Sequence, residues 1–97
     1  MGGRVEIQSV SHKALRKYLE TGKARGLIEP GRIRNMIAYI DAVGSVEELL
    51  VPPNYGAHEL TGDRAGTWAL TVTRNWRMAF RLDTEGRIVD LDLEDYH

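Results

Sequence analysis

Strict alternation of apolar and polar residues in the second half of the chain is the feature that most limits its fold. Trp68, Leu70 and Val72 share one face of an extended run, and Trp76, Met78, Phe80 and Leu82 share one face of the next. A period of two over runs this long means half-buried strands. After the turn Asp83-Thr84-Glu85-Gly86, a third run has Val89, Leu91 and Leu93 as its apolar set. A loop of Thr73-Arg74-Asn75 places Val72 opposite Trp76, Leu70 opposite Met78 and Trp68 opposite Phe80, so apolar residues meet apolar partners. Asn75 is expected in the left-handed conformation that closes such loops. Across the next turn, pairing Leu82 with Arg87 sets Phe80 opposite Val89, Met78 opposite Leu91 and Trp76 opposite Leu93. The expectation is a three-stranded antiparallel meander.

The other face of that sheet then carries Thr67, Ala69 and Thr71, then Arg77, Ala79 and Arg81, then Ile88, Asp90 and Asp92. Two arginines among small residues have two readings. Arg77 lies opposite Asp92 in this register, which suggests a structural ion pair of small worth. The same arginines suit an anion or phosphate site, with the small residues leaving room for the ligand.

Towards the start, Arg4 to Ser9 alternate, with Val5, Ile7 and then Val10 apolar, and read as a first strand. Ser11 is the expected N-cap of a helix whose apolar side is Leu15, Tyr18 and Leu19, with Lys13, Arg16 and Lys17 turned outward and Gly22 at the C-cap. Pro30 opens a second helix with Ile33, Met36, Ile37, Ile40 and Val43 as its buried stripe, and Gly44 ends it. Ser45-Val46-Glu47-Glu48 has the form of a capping box and predicts a short helical turn through Leu49. Pro52 to Gly56 reads as a loop, Ala57 to Leu60 as the start of the sheet, and Thr61 to Gly66 as a long turn. The layout is α+β: an N-terminal strand and two amphipathic helices packed on a mainly antiparallel curved sheet, in a single domain of residues 1–97.

The net charge is −1, but it is unevenly spread. Residues 1–40 hold eight Lys/Arg against three acids, and residues 61–82 hold four arginines against one Asp. Residues 41–60 hold four acids and no base, and residues 83–97 hold six acids and one Arg. Such blocks can build a basic surface for nucleic acid, while the near-neutral total argues against strong non-specific binding. There is no cysteine, hence no disulfide framework and no thiolate metal site. No apolar run approaches membrane-spanning length and no signal peptide is visible, so a cytoplasmic protein is expected.

Acid–base chemistry is available in His58, in the strand-like His58-Glu59-Leu60, and in the closing Asp95-Tyr96-His97. A terminal Tyr-His is also what a frayed chain end looks like. Set beside Arg77 and Arg81, the tail would supply proton donors and acceptors next to phosphate-binding cations. That combination suits RNA cleavage by its own 2′-hydroxyl: a base removes a proton, an acid protonates the leaving oxygen and the arginines stabilise charge on phosphorus. A metal site from His58, Asp95 and His97 lacks close ligand spacing, and neither metal nor cofactor is expected.

Four segments carry a resemblance: His12-Lys13-Ala14-Leu15, His58 to Trp68 with its Gly62-Asp63-Arg64 turn, Asn75 to Arg81, and Asp92 to His97 with its final Asp-Tyr-His. Together they resemble HigB-type toxins, the plasmid-maintenance killer proteins of the RelE/ParE superfamily. The resemblance implies a RelE-like fold and a ribosome-dependent mRNA endonuclease that enters the ribosomal A site and needs no metal. It also implies neutralisation by a HigA-like antitoxin with a helix-turn-helix domain, through which the pair reaches operator DNA. Carried over by position, His58, Asp95, Tyr96 and His97 are the catalytic group. Arg77, Arg81 and Arg64 bind RNA phosphate, and Lys13, Arg16 and Lys17, with Arg32 and Arg34, meet ribosomal RNA. Thr61 stands where the family often has Lys, and the isoelectric point of about 6.3 is low for a ribosome-binding toxin. As the last residue, His97 has its own carboxylate beside it, which favours the protonated imidazole. Two other readings are a ParE-like, non-enzymatic inhibitor of DNA gyrase and an inactive homologue that only binds antitoxin.

Overall fold

The strand Trp76–Leu82 is the centre of the structure, because alternation gives it one wholly apolar side and neighbours on both edges. A computed structural model describes residues 7–42, 46–50 and 55–95. Its elements are α1 (Lys13–Thr21), α2 (Pro30–Ala42), a 3₁₀ turn (Val46–Leu50), β1 (His58–Glu59), a second 3₁₀ turn (Gly62–Arg64), β2 (Thr67–Thr71), β3 (Trp76–Leu82) and β4 (Ile88–Asp95). The four strands form one antiparallel sheet in the order β1-β2-β3-β4. The expected strand residues 4–6, the helix end at Val43 and Gly44, the cap Ser45, the loop residues 52–54, and Tyr96 and His97 lie outside the described residues.

The β2–β3 register is the expected one, with Trp68 opposite Phe80 and Leu70 opposite Met78. The Val72 N–H donates to the Trp76 carbonyl at 3.0 Å and closes the loop. Asn75 is not left-handed: among described non-glycine residues, positive φ occurs at Glu29, Tyr55 and Asp90. The Thr73 hydroxyl instead accepts the Asn75 N–H at 3.3 Å, and the Trp76 N–H donates to the Thr73 carbonyl at 3.4 Å. A threonine side chain that satisfies the turn backbone removes the need for a left-handed residue.

The β3–β4 register corrects the expectation. Leu82 pairs with Ile88 and Arg81 with Val89, whereas Met78 pairs with Leu93, Arg77 with Glu94 and Trp76 with Asp95. The ladder shifts between Ala79 and Arg81, and Asp90 takes φ 56° there. Two local effects cause this. The Asp83 carboxylate accepts the N–H groups of Glu85 and Arg87 and the Arg87 Nε, which keeps Arg87 in the turn. The extra residue is then absorbed as a bulge at Asp90, whose N–H donates to the Ser9 hydroxyl at 2.8 Å. The bulge changes the strand's parity, so Ile88, expected on the open face, joins Leu91 and Leu93 in the core. Asp90→Val places a β-branched residue in a left-handed conformation and is expected to cost about 1–2 kcal/mol, measured as a lower urea midpoint. Asp90→Gly should be close to neutral.

Ser9 reaches the bulge because residues 7–11 run parallel to β4. Ile7 bridges Ile88 and Val10 bridges Leu91. The Ser11 N–H donates to the Leu91 carbonyl. With Ser11 tied to the sheet, α1 begins one residue later than expected: His12 is the N-cap, its Nδ1 accepting the Leu15 N–H at 3.1 Å. Gly22 ends α1 as expected, left-handed at φ 79° with its N–H on the Tyr18 carbonyl. Leu15 is fully buried, but Leu19 is 41% exposed, so the apolar stripe is narrower than the spacing suggested. Ile33, Met36 and Ile40 of α2 and Leu49 of the first 3₁₀ turn are fully buried. They join Leu70, Val72, Met78, Phe80, Ile88 and Leu91 in one cluster between helices and sheet. None of the described helices is long and apolar enough to cross a membrane.

Candidate active site

The sheet face away from this core is built in rows. His58 of β1 pairs with Ala69, Ala69 with Ala79, and Ala79 with Asp92. Directly opposed residues point to the same side, so a histidine at one edge and a carboxylate at the other flank a floor of two alanines. One row along are Thr71, Arg77 and Glu94; one row the other way are Thr67 and Arg81. Thr67, Ala69 and Ala79 are buried beneath their longer neighbours. Arg64, Thr67, Ala79, Arg81, Asp92 and Glu94 line a shallow depression of about 160 Å³.

Glu94 dominates the electrostatics of this face. Arg64 grips it with both terminal nitrogens, Nη1 to Oε1 at 2.9 Å and Nη2 to Oε2 at 2.6 Å. The Nε of Arg77 donates to Oε1 at 3.0 Å. The expected partner of Arg77 was Asp92; the longer turn and the bulge each shift the register by one residue and together bring Glu94 into that place. The hydrogen bonds from Arg64, and then from Arg77, hold the Glu94 carboxyl below the ordinary glutamate range against the opposing effect of burial. The same contact raises Arg64. Since the folded-state value of Glu94 lies below the unfolded one, the clamp stabilises the fold above the ordinary glutamate range. That contribution fades as pH falls through the lowered value.

His58 is exposed, and its Nδ1 lies 2.9 Å from the Gly56 carbonyl. A carbonyl can only accept, so this bond puts a proton on Nδ1 and leaves Nε2 for exchange with a ligand. Arg81 is exposed and forms no ion pair among the described residues. Asp95 is exposed too, but as the register partner of Trp76 it lies on the opposite side of the sheet from Arg77 and Arg81. Thus the structure brings His58, Arg64, Arg77 and Arg81 to one face and does not bring Asp95 there.

The helix cations divide. Lys13 and Lys17 line an open groove of about 670 Å³ with His12, Ala14, Lys23 and Arg25. Lys13, Lys17, Lys23 and Arg25 form no ion pair among the described residues. Arg16 lies elsewhere, in a groove with Ile7, Val10, Leu19 and Glu20. Arg32 stacks over the Tyr55 ring at 5.2 Å. Glu94, Lys23 and Arg25 were missed as site residues from the sequence; the basic block in residues 1–40 was the signal for the last two.

Residues 8–97 match the family model described as RelE-like toxin of type II toxin-antitoxin system HigB. A protein of Proteus vulgaris named endoribonuclease HigB is 37% identical over 93 residues, which cover 94% of this chain and 99% of that protein. The two helices and the antiparallel sheet are thus those of a RelE-like toxin, and the chain belongs to the RelE-like HigB toxins of type II toxin–antitoxin systems.

Proposed function

We infer that this chain, acting as one domain over residues 1–97, is the toxin of its pair and cuts messenger RNA. The observation that carries this is the outer sheet face, where His58 and three arginines surround a floor of small residues. The activity named for the Proteus vulgaris relative supports the same reading. The scissile phosphate sits over Ala79 and is held by Arg81, Arg77 and Arg64. A base takes the proton of the 2′-hydroxyl, whose oxygen attacks phosphorus as the bond to the 5′-oxygen breaks. An acid protonates that departing oxygen, leaving a 2′,3′-cyclic phosphate and a 5′-hydroxyl. His58, through Nε2, is one of the two proton-transfer groups; His97 is the other and Tyr96 contacts a base, while Asp95, on the Trp76 side of the sheet, takes no direct part. The reaction runs in the ribosomal A site, hence in the cytoplasm. The toxin's antitoxin is HigA-like.

The groove of Lys13, Lys17, Lys23 and Arg25 faces ribosomal RNA in this reading, since unpaired cations on one wall suit phosphates. The test is cleavage of an mRNA placed in the A site of purified ribosomes, against the same RNA free in solution. Cutting only with ribosomes is expected. Neutralising the four groove cations should weaken ribosome binding and flatten its log–log salt dependence by about 3. Unchanged binding would remove the groove from the interface. No cutting by folded, antitoxin-free protein, together with inhibition of gyrase supercoiling, would reject the nuclease.

A further inference from the structure

We propose that Glu94 is a positioning residue of the cleavage site, holding the guanidinium of Arg64 across the sheet and beside that of Arg77. The inference rests on the RNA-cleaving reading above and adds a residue to it. Arg64 belongs to the 3₁₀ turn Gly62–Arg64 before β2, and Glu94 to the far end of β4. Thr67, three residues past Arg64, pairs with Arg81, whereas Glu94 pairs with Arg77. Arg77 and Arg81 lie four residues apart on β3, a span of about 13 Å. The Arg64 side chain therefore reaches over the alanine row to meet Glu94. A larger residue than Ala79 would stand in its path, which accounts for an alanine that is only 2% exposed on an outward-facing position.

The stoichiometry fits a seat for phosphate. Glu94 neutralises one of the two guanidinium groups it binds, so that triad keeps one positive charge; Arg81 adds a second cation to the depression and Asp92 and Asp90 add acids. Arg64 also keeps N–H donors beyond the two bonded to Glu94. A long side chain fixed in advance spares bound RNA the entropy of ordering it, and placement before reaction is what raises a maximal rate. Arg64 is 43% exposed, so water and salt screen the pair and limit what it adds to stability, even with its two-pronged geometry.

Glu94→Gln and Glu94→Asp test this on the full chain with ribosome-bound mRNA. For Glu94→Gln, kcat should fall about 10-fold or more while KM changes less than about 2-fold. Glu94→Asp keeps the charge and should retain an intermediate kcat. A readout independent of turnover is the Arg77 Nε–H signal in ¹⁵N NMR, slow to exchange in the wild type and lost in Glu94→Gln. A fall in KM with kcat unchanged or raised would show Glu94 competing with RNA phosphate and overturn the proposal. Loss of the Arg77 signal with unchanged kinetics would leave an ordinary surface ion pair and overturn it too. A wild type that holds the Arg77 signal but never cuts RNA would defeat the cleavage reading itself.

Discussion

His58→Ala should slow single-turnover cleavage by about 10²- to 10⁴-fold, the usual loss when a proton-transfer group is removed. That loss corresponds to about 2.7–5.5 kcal/mol of transition-state stabilisation. Stability should hardly change. His58 is an exposed residue of a two-residue edge strand, and its ring bonds the Gly56 carbonyl. Surface changes of this kind stay within about 0.5 kcal/mol. Paired measurement with His97→Ala separates the two histidines. A large loss in both, with each protein folded, assigns them the two ends of one proton transfer. Full activity in His58→Ala would take β1 out of the chemistry and leave it to the C-terminal residues. The effects will not add in the double variant, because groups acting in one transition state are not independent.

Phe80→Ala should be the most damaging single change to the fold, costing about 3–5 kcal/mol. Phe80 lies at the middle of β3, 1% exposed, opposite Trp68 and within the cluster that joins both helices to the sheet. A domain of this size has about 5–15 kcal/mol of total stability, so this substitution removes a large part of it. Urea unfolding followed by Trp68 and Trp76 fluorescence reads the effect directly. Phe80→Leu, which keeps most of the volume, should cost about 1.5 kcal/mol or less. A loss below about 1 kcal/mol in Phe80→Ala would mean that the sheet's apolar side is not the main core.

Much of the candidate site could be seen before the fold. Arg77 and Arg81 fall on the outward side of β3 by alternation alone, and His58 falls in a stretch already read as the start of the sheet. Their gathering around Ala79 follows from the β2–β3 register, which the apolar pairs Trp68–Phe80 and Leu70–Met78 dictate. Glu94 was not legible as a site residue. Its place opposite Arg77 depends on a bulge two turns of the ladder away, and that bulge depends on Ser9, eighty-one residues earlier in the chain. The helix start shows the same limit. Ser11 has the better capping side chain, but its backbone is recruited by Leu91, and His12 takes the cap.

Short-range periodicity is what could be read from the residues alone. Period two set β2 and β3 and their apolar sides, period 3.6 set the buried stripe of α2, and Gly22 set the end of α1. These depend on residues a few positions apart, where the backbone geometry is nearly fixed. The parity of β4, the partner of Arg77, the split of the helix cations between two grooves, and the side on which Asp95 lies emerged with the folded molecule. Each of these turns on a contact between segments distant in the chain, and a shift of one residue in such a contact moves a side chain to the other face of the sheet.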